Sequence, residues 1–227
     1  ASHALNRCGV TSSQTDDLLA FNNVPYERVL EAYRELEAEG RMTVRVYEQS
    51  QFTTLKDLKG FLEKGYHTGW GTPWFKIGPL KMLGDGSLGA RSAYLSRPYA
   101  DDPSTCGIPI FTREQFEEMV GYANSHGMQV AIHAIGDGIL DDILAAYEKA
   151  LKECPRPDHR HGIVHCQITR PDQLRKFEEL SLHAYIQSIF LDYDIHIVEE
   201  RIGKERAASS YNFKTLYETT HTSNGSD

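Results

Sequence analysis

Short β-rich runs alternate with longer helical patterns along almost the whole chain, and this alternation most limits what it can fold into. Gly9 to Gln14 reads as a first strand. A helix follows from about Tyr26 to Ala38, with Val29, Leu30, Tyr33 and Leu36 at helical spacing and Gly40 just beyond its end. Met42 to Tyr47 alternates as a strand does, and Leu55 to Lys64 is a helix closed by Gly65. Trp74 to Leu83 is a strand broken at Gly78-Pro79, where a loop or bulge is expected because proline cannot donate to a ladder. The second half repeats the pattern: helix Thr112 to His126, strand Met128 to Ile135, helix Asp141 to Glu153, and strand Gly162 to Gln167. Next come helix Arg170 to Leu180, with Pro171 in its first turn, and strand Ala184 to Ser188. A poorly periodic stretch precedes a helix at Asn212 to Glu218 and the start of a last strand at His221 to Ser223.

Seven strand candidates separated by helices imply βαβ units and a parallel sheet, either a doubly wound open sheet or a (β/α)8 barrel. No GxGxxG opens the first βα turn and no GxxxxGK[ST] occurs, which removes support from the nucleotide-binding version of the open sheet. No linker, low-complexity segment or internal repeat divides the chain, so residues 1–227 read as one domain. The formal charge of −8 and the lack of a basic run argue against nucleic acid as a partner. No apolar stretch approaches a membrane span. Cys8, Cys106, Cys154 and Cys166 are scattered without a CxxC pair and read as free thiols in a reducing compartment, the cytoplasm. The opening Ala-Ser-His carries no signal-peptide pattern, and the absence of Met fits a numbering that begins inside a longer protein.

In a parallel barrel, chemistry is placed where strands end and βα loops begin. Lys81, His133 and His165 close their strands, and Asp227 follows the last one. Two imidazoles from successive strands plus a carboxylate suit a borderline divalent metal such as zinc. An ammonium cannot ligate a cation. Lys81 joins such a set only if neutral, or if carbon dioxide converts it to an N-carboxylate, a route that burial favours. Each residue alone has a plain structural reading: histidines satisfied by backbone carbonyls, a snorkelling lysine, an aspartate in a turn.

The run Gly78-Pro79-Leu80-Lys81-Met82-Leu83-Gly84-Asp85-Gly86-Ser87-Leu88-Gly89-Ala90-Arg91 resembles a signature of the amidohydrolase superfamily. The branch is the one that contains N-substituted formamide deformylase and related metal-dependent hydrolases. Val130 to Asp137, Arg160 to Gln167 and Gly225-Ser226-Asp227 resemble three further motifs of that branch, in the right order. The resemblance covers Gly9 to Asp227 and implies an α/β fold, a (β/α)8 TIM barrel of the metal-dependent hydrolase type. It implies that Lys81, often carboxylated in the family, bridges two metal ions, that His133 and His165 bind the second ion, and that Asp227 contacts metal and shuttles the proton. Superfamily members differ in lysine modification and in carrying one ion or two.

The family's first two ligands form a His-x-His on strand one, and none precedes Lys81 here. His3 lies before the segment that matches strand two. His159-Arg160-His161 fits the pattern but immediately precedes the strand that matches strand six. The chain is therefore expected to hold approximately strands two to eight of a larger enzyme, with strand one and the flanking β-sandwich segments absent. The expected chemistry is hydrolysis of a carbon–nitrogen bond other than a peptide bond in a small-molecule substrate, by attack of a metal-activated water. Asp85, Arg91 and Asp137 are candidates to shape the pocket, or else hold the Gly-rich turns. A lactone, a phosphoester or a deaminated ring is an alternative substrate on the same scaffold, and a catalytically silent binding or assembly module is an alternative of another kind. A homo-oligomer is compatible with this reading. Glu199-Glu200-Arg201 and Lys204-Glu205-Arg206 read as a solvated charged segment.

Overall fold

The computed structural model describes residues 1–19 and 24–227. Seven strands follow one another in the order β1-β2-β3-β4-β5-β6-β7, and every described strand pairing is parallel. A doubly wound sheet reverses its order partway, whereas this order never does. The class is therefore α/β, with a singly wound sheet that fits an incomplete (β/α)8 barrel. By the density of its contacts the chain forms two compact units, residues 1–81 with 126–129, and residues 82–125 with 130–227.

The first unit contains α1 (Ser2–Arg7), β1 (Ser12–Thr15), a single 3-10 turn (Asp17–Leu19), α2 (Tyr26–Ala38), β2 (Arg45–Gln51), α3 (Leu55–Glu63) and the greater part of β3 (Phe75–Leu83). Helix α2 has the bounds its periodicity predicts. Its buried face carries Val29 and Leu30, and Tyr33 stacks on Phe75 at 4.6 Å between ring centroids. Thr54 caps α3 by accepting the Asp57 N–H at 3.2 Å, and the helix buries Leu58 and Phe61. Strand β1 starts later than expected, after an unpredicted α1, and β2 runs on to Gln51. Strand β3 crosses Gly78-Pro79 without ending. Glu48 stands opposite Ile77 and Ser50 opposite Leu80, so two steps on β2 match three on β3. Pro79 has no N–H for the ladder, and the bulge absorbs it.

The second unit holds β4 (Val130–Ala134), β5 (Gly162–His165), β6 (His183–Ile186) and β7 (Thr222–Asn224). Its helices are α4 (Arg113–Ser125), α5 (Asp137–Glu153), α6 (Pro171–Glu179), α7 (Ile189–Asp194), α8 (Val198–Ile202), α9 (Lys204–Ala208) and α10 (Phe213–Thr219). Helix α5 begins at Asp137, before the expected start at Asp141, and the loop after β3 docks on its first turn. The N–H groups of Gly138 and Ile139 both donate to the Tyr94 carbonyl, at 3.0 and 3.1 Å, which satisfies helix-start donors from outside the helix. A Cβ on Gly136 would lie 2.0 Å from that same oxygen, so only glycine permits the approach. Leu88, Ala93, Leu95 and Tyr99 of the loop bury themselves against Ile135, Ile168 and Ile202.

The charged stretch near residue 200 keeps Glu199, Glu200, Lys204 and Glu205 exposed, as a solvated segment does, while Arg201 and Arg206 are half-buried. It folds into α8 and α9 around buried Ile202, and its arginines reach back to the loop after β3. Arg201 pairs with Asp101, while Arg206 donates to the carbonyls of Arg97 and Pro98, at 3.1 and 2.7 Å. Their guanidinium groups find carboxylate and backbone acceptors that a charge pattern does not reveal. No helix among the described residues is long and apolar enough to cross a membrane.

His159 and His161 lie on the N-terminal side of β5, and each ring is committed to backbone or amide partners. His161 Nδ1 accepts the Val130 N–H at 3.0 Å and its Nε2 meets Asn124 Oδ1 at 3.0 Å. His159 Nδ1 accepts the His161 N–H at 2.9 Å. Burial pushes the His161 imidazole down to about 2 from its ordinary value, so it is neutral in the fold. A group depressed in this way contributes its full stability above the unfolded-state value, near 6.5, and loses it as pH falls below that. The stability advantage of the natural chain over His161→Gln should therefore shrink by about 2 kcal/mol between about pH 7.5 and about pH 5. Urea unfolding at the two pH values measures it, and a constant advantage would show that His161 titrates normally.

Candidate metal centre

Two histidines meet at the C-terminal ends of neighbouring strands. His133 on β4 and His165 on β5 have ring centroids 4.5 Å apart with planes at 77°. Strand register alone does not explain this meeting. His133 stands opposite Val164, so regular alternation would send His165 to the other face. His165 instead has a φ of 81°, and Cys166 follows with a φ of 53°. Left-handed backbone at a non-glycine residue costs about 1–3 kcal/mol and persists where surrounding structure imposes it. Here it rotates His165 out of the strand's alternation, onto the side of His133.

Each ring has one nitrogen held by a neighbour. His133 Nε2 lies 3.0 Å from the Gly86 carbonyl oxygen and 3.3 Å from Asp85 Oδ1, which makes Nε2 the protonated nitrogen of the neutral ring. His165 Nδ1 lies 2.7 Å from Gln187 Oε1. Metal-binding histidines are held in this way, donating the second ring N–H to an oxygen acceptor that fixes tautomer and orientation. In these tautomers the lone pairs sit on Nδ1 of His133 and on Nε2 of His165. Among the described residues no group of three or more His, Cys, Asp and Glu side chains joins them as a set.

The other expected site residues fall as follows. Lys81 lies on β3 of the first unit, buried, in register with Gln51. Asp227 lies three residues beyond β7, exposed, with a φ of 72°. The described contacts do not join it to either histidine. Asp85 is buried and accepts the backbone N–H groups of Tyr94, Ile135 and Gly136 at 2.8, 3.1 and 2.8 Å. Asp137, also buried, accepts the N–H of Ser96 at 2.9 Å and pairs with Arg170 at 3.2 Å. Arg91 makes a two-pronged pair with Asp101, at 3.1 and 2.7 Å, and this guanidinium holds the Asp101 carboxyl down at about 2. Arg91 and Asp137 thus make their described bonds to Asp101, Ser96 and Arg170, whereas Asp85 joins three backbone donors to the His133 ring.

Sequence reasoning passed over Gln187 and Phe190. Gln187 directly follows β6, so the rule that selects polar residues at strand ends also selects it. Phe190, on α7, stands 5.8 Å from the His165 ring, a contact with no local signal.

A singly wound parallel α/β fold with imidazoles converging at strand ends fits the class of (β/α)8-type barrels. The chain is a member of the amidohydrolase family, whose model matches residues 1–227. YtcJ of Bacillus subtilis (strain 168), which bears an amidohydrolase name, is 29% identical over 215 residues, covering 92% of this chain and 37% of that protein. Protein LONG AFTER FAR-RED 3 of Arabidopsis thaliana is 36% identical over 166 residues, covering 73% of this chain and 28% of its own length. The crystal structure of an uncharacterized metal-dependent hydrolase from Pyrococcus furiosus matches with a TM-score of 0.84 at 32% identity, over 100% of this chain and 44% of that one. The chain spans less than half the length of each.

The Asp85 carboxylate carries the tightest prediction of this site. Asp85→Ala strands three backbone donors, each worth about 1–3 kcal/mol when left unmade. The protein should lose at least about 3 kcal/mol in urea unfolding. A loss below about 1 kcal/mol would show that the loops hold without it.

Proposed function

We propose that the protein is a metal-dependent hydrolase of carbon–nitrogen bonds other than peptide bonds, in the branch of N-substituted formamide deformylase. The observation that carries this reading is the perpendicular pair of His133 and His165, each with its second nitrogen held by an oxygen acceptor. Family membership and the similarity to a metal-dependent hydrolase support it from outside the site.

In this reading zinc, as one ion or two, supplies Lewis acidity, polarising a carbonyl and bringing the ionisation of water to near-neutral pH. His133 and His165 offer neutral nitrogen lone pairs. The family resemblance of the run around Lys81 assigns this lysine a metal-ligand role. Its ammonium would first lose a proton to water, and the neutral Nζ would then add to carbon dioxide and lose a second proton to water, leaving an anionic N-carboxylate as the oxygen donor. Asp227, placed after the last strand, accepts the proton of the attacking water at its carboxylate and returns it to the leaving nitrogen. Asp85, Arg91 and Asp137 keep the surrounding loops in place. The substrate is a small amide-type molecule, and the free cysteines fit a cytoplasmic setting.

His165→Ala in the intact protein should bind zinc more weakly and lower hydrolysis of N-substituted formamides by at least about a hundredfold. Metal content by elemental analysis and turnover on a panel of amides test this together. Full metal content with full activity would overturn the assignment, and zinc bound without turnover of any amide would favour another bond type.

A further inference from the structure

We infer that Gln187 is a positioning residue that selects which nitrogen His165 presents to a metal. The inference rests on the metal reading of His165. Nothing in the motifs around Lys81, His133, His165 or Asp227 points to Gln187, because it lies on a different strand end from all of them.

The argument begins with the orientation of the carboxamide. Gln187 is 5% exposed, so both ends of its amide must find partners inside the protein. Nε2 donates to the Tyr185 carbonyl at 3.1 Å, an acceptor that cannot be exchanged for a donor. That bond fixes Oε1 as the end that faces His165. Oε1 only accepts, so the 2.7 Å contact requires the proton to be on His165 Nδ1. The neutral ring then carries its lone pair on Nε2. The Tyr185 carbonyl, two residues before Gln187, thus bears on the tautomer of His165 through one amide.

The same bond resists the strain at this position. His165 sits at a φ of 81°, in a conformation that non-glycine residues rarely adopt. A buried bond to Gln187 ties the ring to β6, the next strand, and limits rotation about the side chain. His133 is held differently, by the Gly86 carbonyl and Asp85 of the loop after β3. The two imidazoles are therefore aimed by separate parts of the chain, and loss of Gln187 should disturb His165 alone.

The test uses the metal-free intact protein with isotope-labelled histidine, where proton–nitrogen correlation spectra show which ring nitrogen bears the proton, together with zinc affinity by chelator competition. In the natural protein His165 should carry its proton on Nδ1. Gln187→Leu should mix the two tautomers and weaken zinc by about 10–100-fold, while Gln187→Glu, which keeps an acceptor towards Nδ1 but loses the donor to the Tyr185 carbonyl, should keep the proton on Nδ1. His133 signals should not move in either variant. A proton on Nε2 of His165 in the natural protein would overturn the inference even if Gln187→Leu fails to fold. So would Gln187→Leu with unchanged tautomer and unchanged affinity. Zinc binding that His165→Ala leaves intact would overturn the metal reading itself, whereas binding that depends on His165 and ignores Gln187 would overturn this inference alone.

Discussion

The buried carboxylate of Asp85 organises the end of the second unit that carries the histidines. It takes N–H groups from Tyr94, in the loop after β3, and from Ile135 and Gly136, in the turn after β4, and it stands 3.3 Å from the His133 ring. A carboxylate removed from water is costly unless its lone pairs are matched, and here backbone donors from two loops match them. The turn after β4 then has a defined path, and it leads directly into α5. The Tyr94 carbonyl that completes the first turn of α5 sits on the residue whose N–H Asp85 holds. Loop, helix start and imidazole thus share one anchor, and a defect there would propagate to all three.

The two ends of the strands in this unit divide their work. At the N-terminal end, His159 and His161 have their ring nitrogens engaged by backbone and amide groups, and burial keeps His161 neutral. These imidazoles act as rigid hydrogen-bonding wedges between β4, β5 and α4. At the C-terminal end, the Gly86 carbonyl and Asp85 hold His133, Gln187 holds His165, and the two ring centroids stand 4.5 Å apart.

Periodicity made much of this legible in the chain itself. The bounds of α2, the positions of α4 and α6, and the strand-end places of His133 and His165 follow from hydrophobic spacing, capping residues and glycine stops. The rest depended on partners distant in sequence. The start of α5 is set by a loop carbonyl about forty residues earlier, which the local Gly136-Asp137-Gly138 turn signal hides. The bulge at Gly78-Pro79 was visible as an interruption, but its register against Glu48 and Ser50 was not. Arg201 and Arg206 look like surface charge until the loop at residues 97–101 supplies their acceptors. The left-handed turn at His165, which brings its ring to His133, has no glycine to announce it. Gln187 was open to the strand-end rule and was missed because an amide carries no obvious ligand chemistry.

The central claim is that His133 and His165 are donors to one metal ion. X-ray absorption at the zinc edge of the loaded intact protein tests it directly. The account predicts nitrogen and oxygen neighbours at about 2.0–2.1 Å with outer scattering from at least two imidazole rings, and loss of that outer pattern in the His133→Ala, His165→Ala double variant. Zinc bound without imidazole scattering, or with a spectrum that the double variant leaves unchanged, would contradict it.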